Sequence, residues 1–157
     1  MRFPREAYVN YKPRIKADPV YLQALGQALY NFTYLEWVAV WTIVKLSIDG
    51  FGSVPKGETA AQIAKALTRA IASTLPALPD GLRRQLTKFD ESYRAAIKVR
   101  NRLLHAHPLT APDGTQQLGS AGSNWSLEQV EEAAKQFEDA AIQSNVIFHG
   151  ELAKVRP

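Results

Sequence analysis

The sequence predicts an all-α fold, a bundle of four main helices. Four segments place apolar residues three and four apart, the spacing of a helix face. Cap-forming residues, glycine or proline bracket each segment. No run of alternating apolar and polar residues marks a strand of note between them. A chain of 157 residues, 46% hydrophobic and 22% charged, suits one domain with one core and has ordinary globular composition. We divide it into an irregular N-terminal arm over 1–18 and a helical domain over 19–157.

In the arm, Pro4, Pro13 and interspersed basic and aromatic residues give no helical period. Asp18-Pro19 opens the first helix, since Asp caps free N–H groups and Pro fits the first helical position. This helix is expected over about Pro19–Ser47. Its inward stripe reads Leu22, Leu25, Leu29, Phe32, Glu36, Ala39, Ile43, Leu46. A second stripe, Tyr30, Tyr34, Trp37, Trp41, Val44, Ile48, follows the same rule. Two stripes imply a helix buried on much of its circumference, either central in the bundle or covered by another chain. Such aromatics suit a core or a dimer interface better than a base-stacking platform.

Gly50, Gly52 and Pro55 break the pattern. Thr59 and Gln62 then form a capping-box pair, and Ile63, Leu67, Ala70, Ile71 and Leu75 make one face of a second helix that Pro76 and Pro79 end. The third helix takes Asp80 as its cap and runs to about His105, with Leu82, Leu86, Phe89, Tyr93, Ala96, Arg100 and Leu103 inward. Pro108 stops it. A polar connection with turn signals at Asp113-Gly114, Gly119 and Gly122 follows, with room for a small hairpin. Ser126 and Gln129 form another capping box. The last helix runs toward Lys154 with Val130, Ala134, Phe137, Ala141 and Phe148 inward.

Composition excludes several functions. There is no cysteine, so disulfides, thiolate metal sites and cysteine catalysis are out. The start Met1-Arg2-Phe3-Pro4-Arg5-Glu6 leads into no apolar signal core. The most apolar stretch, Phe32–Ile48, is interrupted by Glu36 and Lys45 and is too short for a membrane span. A cytoplasmic protein without a membrane partner is expected. The net charge of +4 is compatible with an anionic partner such as nucleic acid. Basic residues concentrate only between Arg94 and Arg102.

The most informative stretch is Arg100-Asn101-Arg102-Leu103-Leu104-His105-Ala106-His107-Pro108. Asn101 and His105, four apart, share a helix face. Arg100 stands roughly 140° from His105 at about 100° per residue, yet its guanidinium is long enough to reach a phosphate over the helix end. Arg binds phosphate bidentately, and His moves protons near neutrality. Together they can cleave RNA by shifting a proton from the 2′-hydroxyl or to the leaving 5′-oxygen. No metal-ligand cluster or cofactor motif accompanies them. The same residues have a structural reading, because Arg and His at a helix C-terminus are favoured by the dipole and free carbonyls. His107 reads as a loop histidine, and His149 as a surface one.

Glu36 and Arg100 both interrupt apolar stripes, and a charge there is costly unless paired. Glu36 is therefore expected to meet Arg100, or a group adjacent to it, across the core. The alternative is that Glu36 reaches solvent at a bundle edge.

Arg100-Asn101-Arg102-Leu103-Leu104-His105, near the end of the third helix of a small α bundle, resembles the HEPN superfamily. That family's motif is an Arg followed by four to six residues and a His, with Asn among the usual residues after the Arg. The architectural likeness runs from about Pro19 to Lys154. It implies a metal-independent endoribonuclease, a hydrolase that needs no cofactor and leaves cyclic phosphate ends. It also implies a homodimer with one composite RNA-binding cleft. By motif position, Arg100 would orient and stabilise the phosphate, His105 would serve in acid/base catalysis, and Asn101 would orient both. Glu36, Arg102 and His107 are supporting candidates. Many relatives act as toxins in toxin–antitoxin systems or in antiphage defence, which adds an antitoxin or other regulatory protein as a partner. Toxins of this kind often carry Tyr two residues after the His. Here His107 stands in that place, a departure from the pattern. The alternative is a non-catalytic HEPN-like module that binds RNA or protein.

Overall fold

The computed structural model describes residues 17–57, 59–74, 77–120 and 123–155. The arm before Ala17, together with Leu75, Pro76 and Gly122, lies outside the described residues. The architecture is the expected all-α bundle: α1 (Pro19–Leu46), α2 (Ala60–Thr74), α3 (Asp80–Leu104) and α4 (Leu127–His149). Short 3-10 turns cover Gly50–Ser53 and Leu152–Lys154. Among the described residues, no helix is long and apolar enough to cross a membrane.

Caps set most of the boundaries. The Asp18 carboxylate accepts the Val20 N–H at 2.8 Å and Pro19 occupies the first turn of α1. Ser126 and Gln129 close a reciprocal capping box on α4. The Thr59 N–H donates to the Gln62 side chain at 2.9 Å. Asp80 differs from expectation. Pro79 holds the cap position and Asp80 is the first helical residue, its carboxylate paired with Arg83. There it still complements the positive end of the helix.

The second difference lies between α3 and α4. Three short strands, β1 (His107–Thr110), β2 (Gln116–Ser120) and β3 (Ser123–Trp125), form an antiparallel sheet in the order β1-β2-β3. Each is too short and too polar to show a two-residue period. Pro108, which ends the helical pattern, sits in β1 at the sheet edge, where its missing N–H is tolerated. Gly119 is buried in β2, and a Cβ there would run into the Leu109 side chain and the Asn124 Oδ1. Tyr21 of α1 fastens the sheet to the bundle. Its hydroxyl donates to the Trp125 carbonyl at 2.8 Å and accepts the Leu118 N–H at 2.9 Å. Leu118 and Trp125 face each other across β2 and β3.

The core centres on α1 against α4. Asn31 of α1 donates to the Ala134 carbonyl at 2.9 Å, and Phe32 packs edge-on to Phe137 at 5.4 Å between centroids. With Tyr21 beside Trp125, these contacts make α1 and α4 run in the same direction. On α3, Arg100 lies against Phe32 and Tyr93 against Glu36, so α3 runs opposite to α1. The third-helix stripe is buried as read, with Arg100 half-buried. Thr68 of α2 and Asp90 of α3 are bonded at 2.8 Å, and Arg94 joins both.

Of the inward stripe read on α1, Phe32, Ala39, Ile43 and Leu46 are buried as expected, while its N-terminal part and the aromatic stripe need correction. Leu22 and Leu29 are exposed, and the buried face is turned toward Tyr21, Ala24, Ala28, Asn31 and Leu35. The cause is small residues: Ala24 and Ala28 on α1 with Ala133, Ala134 and Ala141 on α4 are all buried and let two backbones approach closely. The aromatic stripe is not core. Tyr30 is 68% and Trp37 56% exposed, Tyr34 is exposed and Ile48 wholly so. Trp41 and Val44 are half-buried.

Candidate functional site

α3 carries the motif to its last turn. The helix ends at Leu104, and at the cap the His105 N–H still donates to the Asn101 carbonyl at 3.0 Å. His105 is exposed at this helix end, and among the described residues its imidazole takes part in no side-chain hydrogen bond. Asn101 is half-buried and its side chain turns to Arg100. The Arg100 Nη1 donates to the Asn101 Oδ1 at 2.9 Å. Asn101 is therefore joined to His105 by backbone and to Arg100 by side chain.

Arg100 does not lie open on the surface. Its guanidinium carbon sits 5.4 Å from the centroid of the Phe32 ring, a cation–π arrangement. Its Nε is buried and makes no hydrogen bond among the described residues. Asn101 occupies one of the five N–H donors a guanidinium offers, so the group is oriented but not saturated.

Glu36 and Arg100 form no direct ion pair. Glu36 instead accepts from the Tyr93 hydroxyl at 3.1 Å. The expected pairing with Arg100 is thus replaced by a hydrogen bond to Tyr93, seven residues earlier on α3. Tyr93 is fully buried, and its ring stacks on Phe32 at 6.3 Å between centroids. Phe32 meets both, the Tyr93 ring and the Arg100 cation each set against its ring. Burial first, and then the Glu36 carboxylate, push the Tyr93 hydroxyl far above the ordinary tyrosine range, while the Arg100 charge pulls the other way. The phenol is thereby held protonated as a donor to Glu36.

The supporting candidates are placed apart. Arg102 is exposed and lies over the Trp125 ring, its guanidinium carbon 5.8 Å from the centroid. His107 is an exposed residue of β1, opposite Gly119, and joins neither Arg100 nor Asn101. His149 is exposed at the end of α4, edge-on to Phe148. Among the described residues no three His, Asp or Glu side chains gather closely enough to hold a metal ion.

Three residues at the site were not singled out from sequence as functional: Phe32, Tyr93 and Trp125. For Tyr93 a signal existed, because a tyrosine on a fully apolar stripe must find a partner for its hydroxyl. For Phe32 and Trp125 none existed, since each looks like any core aromatic until its cation is in place.

Compared with known proteins, the chain matches no family model, no curated protein and no solved structure. The fold and the grouping of residues at the end of α3 therefore carry the functional argument.

Proposed function

We propose that this protein is a metal-independent endoribonuclease of HEPN type, acting in the cytoplasm as a toxin or antiphage effector. The observation that carries the proposal is the Arg100–Asn101 bond beside an exposed His105 at one helix end. A phosphate needs an oriented guanidinium with donors to spare, and proton transfer needs an imidazole open to the substrate. In the proposed reaction the 2′-hydroxyl attacks the adjacent phosphorus and the bond to the 5′-oxygen breaks. A proton leaves the former and one is given to the latter, producing a 2′,3′-cyclic phosphate and a free 5′-hydroxyl. His105 moves one of these protons, Arg100 stabilises the charge on the phosphoryl oxygens, and Asn101 holds Arg100 in place. One imidazole serves one transfer at a time, so two copies of the site suit the reaction. The exposed Leu29, Tyr30, Tyr34 and Trp37 on α1 supply an apolar face for such a dimer.

A second reading, a non-catalytic module that binds RNA or protein, is favoured by one observation. Arg100 is half-buried against Phe32 and so contributes to packing. Incubation of purified wild type, Arg100→Ala and His105→Ala with mixed RNA in EDTA separates the two. Cleavage by wild type that is lost in both folded variants supports the nuclease. Full activity in folded His105→Ala removes it, and binding without cleavage by wild type selects the module.

A further inference from the structure

A cleft of about 290 Å³ opens between the last turns of α3, strand β3 and the first half of α4. Its size is near the lower end of the roughly 300–1,000 Å³ range of small-ligand pockets. Arg102 and Trp125 line one side as the cation–π pair described above. Asn124, Gln136 and Glu132 line it with polar groups. A planar stacking element beside amides and a carboxylate is the chemistry that recognises an unpaired nucleobase.

Position ties this cleft to the motif. At about 100° per residue, Asn101, His105 and Arg102 follow one another around α3, about 40° and then 60° apart. His105 and Arg102, three residues apart, are therefore neighbours at the end of α3, so a strand whose phosphate lies at His105 meets Arg102 next. Arg102 itself lines the cleft.

We infer that the Arg102–Trp125 cleft is the base-recognition subsite for a nucleotide flanking the cleaved phosphate, and that it selects guanine. The base stacks against the Arg102–Trp125 pair. Glu132 offers only acceptors, which match the N1–H and the 2-amino group of guanine. Adenine presents an acceptor at N1, and uracil and cytosine each place an acceptor carbonyl on the same edge. The assignment rests on the nuclease reading, which it supplies with a base preference.

The test titrates the full chain with GMP, AMP, CMP and UMP and follows the Trp125 indole N–H resonance, assigned with Trp125→Phe. GMP is expected to shift that resonance and to bind about tenfold tighter than the other three, the scale of one bidentate base contact. Glu132→Gln, on an exposed residue of α4, is expected to abolish the preference with helix content unchanged. Absence of a Trp125 shift at millimolar GMP, equal binding of all four nucleotides, or a preference that survives Glu132→Gln each overturns the inference. GMP binding is measured in His105→Ala as well, where it should persist. Absence of RNA cleavage by the wild type with GMP binding intact would therefore fall on the nuclease reading alone. Cleavage without GMP binding would fall on the subsite alone.

Discussion

Tyr93 and Glu36 are joined across the bundle, the phenol of α3 donating to the carboxylate of α1 at 3.1 Å. This bond, not an ion pair with Arg100, satisfies the acid on the inner edge of α1. Arg100 is left to Asn101 and the Phe32 ring, so its orientation depends on the acid only through the packed Tyr93 and Phe32 rings.

Denaturant melts of Glu36→Gln and Tyr93→Phe, alone and combined, should show coupling of about 1.5–3 kcal/mol, the scale of hydrogen bonds to charged groups. The coupling of Glu36→Gln with Arg100→Ala should be smaller. If that order is reversed, Glu36 pairs with Arg100 in solution and the Tyr93 bond is secondary.

The raised Tyr93 hydroxyl makes stability depend on alkaline pH. In the unfolded chain a tyrosine titrates near its ordinary value of 10.0, while in the folded protein Tyr93 keeps its proton to higher pH. Above about pH 10 the unfolded state thus binds fewer protons, and stability falls as pH rises. Tyr21, also raised by burial, acts in the same direction. Urea midpoints between pH 9 and 11 should decline, and less steeply in Tyr93→Phe. Equal slopes in the two proteins would show that Tyr93 titrates normally.

Asn101 is expected to act through Arg100. Asn101→Ala removes the acceptor at Oδ1 and frees the guanidinium to wander, so RNA cleavage should fall by about 100-fold, the cost of misplacing a catalytic group by an ångström. Asn101→Asp keeps an acceptor and should retain more activity. Identical losses in both variants would place the role of Asn101 elsewhere.

The apolar face of α1 should determine assembly. Tyr30→Glu with Trp37→Glu touches side chains 68% and 56% exposed, so the fold should survive while self-association is lost. Light scattering at micromolar concentration should change from dimer to monomer. A monomeric wild type under the same conditions would remove the dimer and the composite cleft with it.

Tyr21→Phe should loosen the sheet. It leaves the Leu118 N–H and the Trp125 carbonyl without their shared partner, a loss of about 1–3 kcal/mol for each group that stays buried. Amide exchange at Leu118 should accelerate with the α-helical content unchanged. Unaltered exchange would mean that strand pairing alone holds β2.

What could be read directly were the features carried by near neighbours in the chain. The Ser126–Gln129 box, the Asp18-Pro19 start and the Leu82-to-Leu103 stripe all appear in the fold, because caps and helix faces depend on residues within a turn or two. The Arg100–Asn101 contact joins adjacent residues and is local in the same way. The tertiary structure alone decided which face of α1 is buried, because alanines with little hydrophobic signal let α4 come close and turned Leu22 and Leu29 outward. It also decided that Glu36 meets Tyr93, that Phe32 carries Arg100, and that Tyr21 bridges two strands lying 97 and 104 residues away. These contacts join positions far apart in the chain, and no local spacing encodes them. They arise only when packing brings one hydroxyl, one ring or one carboxylate to the partner that relieves its burial.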